Sequence, residues 1–337
     1  MRLNNSSLKL PFLYKFILGC LVMAGVFFVA MVLGAADISI RNVWNAITSN
    51  MNSEQLSVIR EIRLPRELAV MLVGAALAVS GAIMQGMTRN PLADPGLLGL
   101  TSGANAALAI ALALLPTLSP FGIMIACFIG AAVGAGTVYG IGAVKKGGFS
   151  PFKIVLAGAA VSTFFQAMAD GVGLYFKISK NISMWTAGGA IGTTWQQLQV
   201  IAPAIGIGML IALFLSRQVT ILSLNEEVAV GLGQKTTQMK CILFAAIVIL
   251  AGAAVALVGN MAFIGLMIPH IVRAIVGTDY RHVIPMSIVV GAIFMLLADT
   301  AGRTLYAPLE TPVASIIAIL GLPFFLFILH KGGRAFT

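Results

Sequence analysis

The sequence predicts an all-α polytopic membrane protein with about ten transmembrane helices, and two observations support that prediction. Hydrophobic residues make up 59% of the 337-residue chain and charged residues only 9%, whereas a soluble domain carries about 25% charged residues. Apolar runs of about 20 residues, long enough for a helix to cross a bilayer, recur along the whole chain. A transmembrane β-barrel would instead show short segments of alternating polarity.

Ten apolar stretches are separated by polar, Gly-containing or Pro-containing connections. In chain order, the predicted spans are residues 14–35, 67–87, 97–115, 121–144, 153–176, 197–216, 236–258, 262–276, 282–302 and 312–330. The first span follows basic residues, as in a signal peptide, but its apolar core is too long for one, so a retained helix is predicted. The eighth span is short and contains Pro269, so it is predicted either not to cross the membrane fully or to be tilted against protein rather than lipid.

The distribution of basic residues predicts which side of the membrane each connection occupies. With the N-terminus inside, fourteen of the 21 Lys and Arg residues and four of the 11 acidic residues fall on the cytoplasmic side. Such an excess of Lys and Arg in cytoplasmic connections is usual in membrane proteins. The chain is therefore predicted to be a multi-pass membrane protein with both termini in the cytoplasm. A net charge of +10 would favour nucleic-acid binding in a soluble protein, but here it reflects the sorting of basic residues to one side of the membrane, so no nucleic-acid partner is predicted.

A possible internal repeat relates the second and seventh spans. The stretches "LVGAALAVSGA" (72–82) and "LAGAAVALVGN" (250–260) share Leu, Gly, Ala, Ala, Ala and Gly in register. An offset of five spans would place the two copies in opposite orientations, which is a common plan in transporters. Spans rich in Ala and Gly also match by chance, so these residues alone leave the repeat open.

The sequence shows no recognisable catalytic, cofactor or metal site. The stretch "GLGQKT" (231–236) resembles a phosphate-binding loop only faintly, because Gln234 interrupts the required Gly-Lys order. The three His and three Cys residues lie far apart in sequence and form no ligand pattern. No acidic residue is clearly placed in mid-membrane, which argues against ion-coupled transport. We therefore predict a protein that is not an enzyme and binds no metal or cofactor.

Two polar segments flank the second span. Residues 60–68, "REIRLPREL", precede it on the predicted outer side, where the arginines either snorkel at the interface or form a docking patch for an acidic partner. Residues 89–99, "RNPLADPGLLG", follow it on the predicted cytoplasmic side. Pro91 and Pro95 stop a helix and restrict the residues before them, so this segment is predicted to be a rigid cytoplasmic hinge.

A third unusual segment, residues 221–234, reads "ILSLNEEVAVGLGQ" and lies between the sixth and seventh spans. It is predicted to form a short amphipathic helix that Asn225 caps and that Gly231 or Gly233 ends. A helix of this kind at the inner face is either an ordinary connection or a surface that couples to a partner.

Three long motifs resemble permease subunits of ATP-binding cassette importers. The motifs are "RLPRELAVMLVGAALAVSGAIMQGMTRNPLADPGLLGLTSGA" (63–104), "FIGLMIPHIVR" (263–273) and "ETPVASIIAILGLPFFLFIL" (310–329). They are similar, in order and spacing, to the FecCD-type permeases of type II importers for iron–siderophores, haem and vitamin B12. The resemblance implies one transmembrane permease domain over residues 1–337, with an inverted repeat of helices 2–5 and 7–10. It also implies a second permease subunit, identical or paralogous, two cytoplasmic ATPase subunits and an extracytoplasmic substrate-binding protein.

The resemblance also implies roles for particular residues. Arg63, Arg66 and Arg303 match outer arginines that meet carboxylates of the binding protein. A cytoplasmic gate is implied for Asn90, Leu92, Pro151 and Phe152, the last two in the loop between the fourth and fifth spans. The residues implied to couple to the ATPases are Leu224, Asn225, Glu226, Glu227, Ala229, Gly231, Leu232 and Gly233.

The function predicted from the sequence is therefore import rather than catalysis. From the resemblance we predict a permease subunit that takes an iron(III)-siderophore, for example of the hydroxamate type, across the bacterial cytoplasmic membrane while partner subunits hydrolyse ATP. Haem and vitamin B12 are alternative substrates within the same family. A stand-alone secondary carrier or channel is the alternative class, and it would need a mid-membrane ion site and no ATPase.

Overall fold

The computed structural model describes residues 11–33, 39–49, 53–143, 151–224 and 226–332, and within them the chain is helical and contains no β-strand. Ten helices correspond to the ten predicted spans: α1 (Phe12–Val32), α4 (Leu64–Thr88), α5 (Leu100–Leu114), α6 (Pro120–Ala143), α7 (Pro151–Tyr175), α9 (Trp195–Phe214), α12 (Thr236–Val258), α13 (Ile264–Val276), α14 (Tyr280–Thr304) and α15 (Val313–Gly332). Five shorter helices lie in the connections: α2 (Ile40–Thr48), α3 (Glu54–Val58), α8 (Ser179–Thr186), α10 (Ser216–Ser223) and α11 (Glu226–Gly231).

The ten main helices are not equally long. Among the described residues, seven helices are long and apolar enough to cross a membrane. Three apolar stretches are shorter: Leu100–Leu114, Ile264–Val276 and Val313–Ile328. The short eighth span predicted around Pro269 is therefore confirmed as the 13-residue helix α13.

The bundle has two ends, which we name by the chain that reaches them. At the terminal end α1 begins and α15 finishes, and there Lys15 donates a hydrogen bond of 2.6 Å to the carbonyl of Ile275. Phe12 stacks on His282 at the same end, with ring centroids 4.4 Å apart. At the opposite end α1 finishes beside the start of α4 and the last turn of α14.

Helices α4 and α12 form the centre of the bundle. The apolar windows of α4 and α12 are 83% and 72% buried, whereas that of α1 is only 11% buried and lies at the periphery. Helix α4 packs on α14, while α12 packs on α6. In an inverted repeat of the second to fifth and seventh to tenth spans, α12 and α14 are the counterparts of α4 and α6, so such a repeat predicts this pair of packings.

Glycines allow the central helices to approach closely. A Cβ atom built on Gly74 would lie 2.2 Å from the carbonyl oxygen of Gly291 in α14, and one on Gly81 would lie 1.9 Å from that of Gly265 in α13. Such distances leave no room for any side chain. Small residues at helix contacts are the usual solution in membranes, where van der Waals packing drives association.

The described parts of the connection from α1 to α4, residues 39–49 and 53–63, contain helices that the sequence does not indicate. Ser39 and Ser53 cap α2 and α3, since their hydroxyls accept hydrogen bonds from the amides of Asn42 and Leu56. A π-helical turn (Ile59–Arg63) then continues into α4. The segment predicted as a charged stretch before the second span is thus helical and joined to it.

Candidate functional site

The segment 89–99 turns back into the bundle after α4. Arg89 ends α4 in the left-handed conformation, with φ of 55°. The side-chain oxygen of Asn90 then accepts a hydrogen bond from the amide of Leu92 at 2.9 Å, and Asp94 accepts one from the amide of Gly96 at 2.8 Å. These two local turns make the segment rigid, as the sequence predicts from its prolines.

The second half of the same segment enters the bundle and does not stay at its end. The cytoplasmic side predicted for the hinge stays a prediction. Asp94 and Pro95 lie against Gly265, whose Cβ position would be 3.2 Å from the Asp94 carboxylate and from the carbonyl of Leu77, halfway along α4. A short 3₁₀ helix (Pro95–Leu98) precedes α5. The predicted third span, residues 97–115, therefore begins within this 3₁₀ helix, of which Pro95 and Leu98 are buried, and its α-helical part begins only at Leu100.

The predicted gate residues lie on two neighbouring elements. Asn90 and Leu92 are half-buried. Pro151 and Phe152 do not lie in a loop, because α7 begins at Pro151; their side chains are outside the described part of the structure. Helix α7 packs directly on the 89–99 segment, since a Cβ on Gly158 would lie 1.8 Å from the carbonyl of Leu97. The gate role of these four residues stays a prediction.

A polar groove of about 570 Å³ lies between α5 and α7. Its polar side chains include Thr101, Asn105, Thr163, Gln166, Asp170 and Asn260. The α7 members at 163, 166 and 170 follow the i, i+3, i+7 spacing that places residues on one face of a helix. The spacing can be read from the sequence, but it is hard to recognise there because the three polar residues are separated by apolar ones.

A network of buried ion pairs joins three helices at the opposite end of the bundle. Arg66 on α4 binds Asp299 on α14 through hydrogen bonds of 3.1 and 3.0 Å. The same guanidinium binds Glu310, in the connection to α15, through hydrogen bonds of 2.8 and 2.9 Å. Glu310 lies outside the membrane-spanning helices, and its hydrogen bonds from Arg66 lower its pKa below the ordinary value.

Arg303 and Arg63 extend this network to α1. Arg303 lies 3.0 Å from Asp299, forms an ion pair with Glu67, and donates a hydrogen bond of 3.2 Å to the carbonyl of Ala30. Arg63 donates a hydrogen bond of 2.7 Å to the carbonyl of Met31. Both guanidinium groups thus lie where the carbonyl end of a helix carries partial negative charge.

The three arginines predicted to form an exposed docking rim are therefore buried. Arg63, Arg66 and Arg303 are 7%, 8% and 5% exposed, and they bind acceptors of this chain. Arg66 and Arg303 are held by the chain's own carboxylates, which compensate their charge. The i, i+4 spacing of Asp299 and Arg303 on one helix is a sequence signal for their ion pair. The other ion pairs join different helices or a connection, so no spacing in the sequence indicates them. Their contact with a partner protein stays a prediction.

The segment 221–234 contains the predicted short helix and one unexpected break. Helix α11 covers Glu226–Gly231, and Gly233 follows with φ of +78°, the left-handed conformation that ends many helices. Residues 221–223 belong instead to α10. Asn225, the predicted cap, lies outside the described residues.

The same segment exposes apolar side chains. Ala229 is fully buried, but Leu224, Val228, Val230 and Leu232 are between 47% and 64% exposed. We call these four side chains the apolar patch. Several exposed apolar side chains grouped on one short segment are typical of a surface that binds a protein or a membrane.

Helix α10 connects the apolar patch to the bundle. Thr220 accepts a hydrogen bond from the amide of Tyr280 at 3.0 Å and donates one to Asp279 at 3.1 Å, so α10 is fastened to the start of α14. Hydrogen bonds from Arg281 hold the pKa of Asp279 at about 2, so this carboxylate is ionised at neutral pH. Val219 fills the space at Gly86, in the last turn of α4.

Ten apolar helices, a polar groove beside α7 and an exposed apolar patch at one end are consistent with a membrane transport protein. The sequence matches the profile of the FecCD transport family over residues 21–331. The chain belongs to that family, so it is a permease of ATP-binding cassette transporters.

Individual relatives agree with this assignment. The chain is 46% identical to the iron(3+)-hydroxamate import system permease protein FhuB of Bacillus subtilis, over 94% of this chain and 82% of that protein. It is 38% identical to the hemin transport system permease protein HmuU of Yersinia pestis, over 89% of this chain and 90% of that protein. Its fold is similar to a solved inward-facing conformation of a metal-chelate type ABC transporter, with a TM-score of 0.83 and 26% identity over 94% and 99% of the two chains.

Proposed function

We propose that this chain is the permease subunit of an importer for ferric hydroxamate chelates, working with ATPase subunits that power it. The single observation behind the substrate is the 46% identity to an iron-hydroxamate permease across 94% of the chain. Haem is the second candidate, because a hemin permease is 38% identical over 89% of the chain. The iron arrives already bound by its chelator, so the permease itself needs no metal ligands.

The terminal end of the bundle is proposed to face the cytoplasm. Basic residues concentrate in the connections at that end, as the distribution along the sequence predicts. The apolar patch also lies on that side, because α10 contacts the last turn of α4 and the start of α14. Two cytoplasmic ATPase subunits, each covering the patch of one permease subunit, fit this arrangement.

The opposite end is proposed to receive a substrate-binding protein. Glu310 is the most accessible acidic member of the ion network, with 34% of its side chain exposed. Direct docking through Arg66 would require that arginine to release Glu310. If Arg66 keeps Glu310, the network supports docking indirectly, because it fixes the ends of α1, α4 and α14 relative to one another beneath the docking surface.

Movement of the ATPases is proposed to be transmitted to the gate through the short helices α11 and α10. Helix α11 passes force to α10, which contacts both the start of α14 and the last turn of α4. The 89–99 segment follows directly after that turn and packs on α7. A displacement at the apolar patch therefore shifts the residues predicted to form the gate. Packed helices tend to move between two discrete arrangements, so a small shift at one end opens or closes a contact at another.

Uptake measurements test the substrate. Cells with and without this gene are given radio-iron bound to a panel of hydroxamate, catecholate and citrate chelators, together with labelled haem and labelled vitamin B12. We expect gene-dependent uptake of ferric hydroxamates. Gene-dependent uptake of labelled haem alone would replace this proposal with the second candidate.

We expect the double substitution Val228→Asp and Leu232→Asp to separate the permease from its ATPases. Both side chains are exposed in the chain alone, so the substitutions leave the fold intact, but burying two carboxylates in an apolar interface is unfavourable. The measurement is co-purification of the ATPase subunits with tagged permease, together with ATP-driven uptake.

The matched control is Leu309→Asp, the same kind of change at a side chain that is 63% exposed at the opposite end. This control should retain the ATPases. Normal co-purification of the double variant would show that the apolar patch is not the ATPase surface.

A further inference from the structure

The polar groove between α5 and α7 is unusual for its position. Helix α7 is a candidate membrane span, and only 28% of its apolar window is buried within the chain. Thr163, Gln166 and Asp170 on that helix are nevertheless exposed, as is Asn260 across the groove. Exposed amides and a carboxylate in a spanning helix are unfavourable against lipid, and such residues usually face a water-filled path.

Part of the hydrogen-bonding capacity of the groove is unused by the chain itself. Gln166 donates a hydrogen bond of 3.0 Å to one oxygen of Asp170, and Thr163 donates one of 2.9 Å to the carbonyl of Ala159. Among the described residues, no hydrogen-bond partner is seen for the amides of Asn105 and Asn260, and the second oxygen of Asp170 is likewise unoccupied. These groups are available to water or to a passing solute rich in amides and hydroxyls.

The only formal charge on the described lining of the groove is negative. Asp170 is its single ionisable residue among the described lining residues, and no Lys, Arg or His lines it. Asp170 lies five residues before the end of α7 (Pro151–Tyr175), which places it near the opposite end of the bundle, where the proposed orientation has the substrate enter. A carboxylate at an entrance attracts cations and repels anions through its field.

We propose that this groove is one wall of the substrate path and that Asp170, held by Gln166, is a charge filter at its entrance. Neutral and cationic ferric chelates pass the filter, and anionic chelates are disfavoured. This inference rests on the proposed function and adds to it a residue that determines substrate charge. The volume of about 570 Å³ on one subunit lies within the range of sites for small molecules, about 300–1,000 Å³.

The first test uses one chelator in three charge states. A linear trihydroxamate with a free terminal amine is compared with its acetylated, neutral form and its succinylated, anionic form, all loaded with radio-iron. Cells carry the complete importer with wild-type permease, Asp170→Asn or Asp170→Glu. We expect Asp170→Asn to raise anionic uptake relative to neutral uptake about tenfold, as loss of like-charge repulsion predicts, and Asp170→Glu to retain the wild-type preference.

The matched control is Glu61→Gln, which removes an exposed carboxylate outside the groove at the same end of the bundle. This control should keep the wild-type ratio. An unchanged ratio in Asp170→Asn would overturn the charge filter while leaving the proposed function in place. Absence of all ferric hydroxamate uptake in wild-type cells would instead overturn the proposed function.

A second test does not depend on the substrate. Thr163→Cys is introduced after the three native cysteines are replaced, because Cys241 is exposed, and its reaction with cationic and anionic water-soluble thiol reagents is timed in the complete importer. We expect rapid labelling with preference for the cation, and loss of that preference when Asp170→Asn is added. Phe164→Cys, adjacent and 65% exposed in the chain but outside the groove, should label slowly. Equal labelling by both reagents with Asp170 present would refute the filter.

Discussion

Gly81→Ala is expected to prevent the permease from accumulating in a folded form. A Cβ atom at this position would lie 1.9 Å from the carbonyl oxygen of Gly265 and 2.4 Å from its Cα. Both are backbone atoms, so the clash is relieved only if α4 and α13 move apart. Overpacking commonly lowers the free energy of unfolding by about 1–3 kcal/mol. Because two central helices must move apart here, we expect a loss at or above the upper end of that range.

The measurement is the yield and unfolding midpoint of the purified membrane complex. The matched control is Gly136→Ala in α6, where no neighbouring atom lies within 4 Å of the added Cβ. Alanine also favours a helix over glycine by about 1 kcal/mol, so the control should be as stable as the wild type or slightly more so. A Gly81→Ala protein with the midpoint of the control would mean that α4 and α13 are not packed as described.

Asp299→Ala is expected to have the next largest effect. This side chain is completely buried and lies 3.0 Å from both Arg66 and Arg303. Its removal leaves the network with a net positive charge away from water. Breaking a buried ion pair by removing one partner costs about 3–5 kcal/mol, and we expect a loss of that size in the free energy of unfolding.

A denaturation titration of the permease with its ATPases, but without a binding protein, measures this loss. Glu61→Ala removes an exposed carboxylate at the same end and should change stability by less than about 0.5 kcal/mol. Wild-type stability of Asp299→Ala would show that the arginines serve docking alone. Destabilisation without the binding protein would show that they hold the helix ends together.

The helices were predictable because their signal is local. Apolar length alone locates all ten main helices, and the predicted span 236–258 coincides with α12 (Thr236–Val258). Apolar length does not predict the short connecting helices α2, α3 and α8, because they are short and polar. Ser39 and Ser53 do cap α2 and α3, but Ser is equally favoured in turns, so it does not identify a short helix by itself. The short helix predicted within residues 221–234 rests on an acidic first turn and following glycines, which are also local features, and α11 occupies Glu226–Gly231 of that segment.

The site was less predictable because its contacts join distant parts of the chain. The prolines around 91 and 95 predict a rigid segment, but only packing of Asp94 on Gly265 reveals that the segment enters the bundle. The sequence predicts the end of the bundle at which Arg63, Arg66 and Arg303 lie but not their burial, because it does not show that Asp299 lies between Arg66 and Arg303. Burial of charge depends on pairing across helices, which leaves little trace in sequence spacing.

ATP-dependent transport by the reconstituted complex tests the central claim most directly. The permease is purified with its ATPase and partner permease subunits and placed in vesicles with ATP inside, and the binding protein loaded with a radio-iron ferric hydroxamate is added outside. We predict accumulation of iron in the vesicles that requires ATP hydrolysis and disappears when the ATPases are omitted. Accumulation driven by a proton or sodium gradient without the ATPases would contradict the assignment as an importer permease.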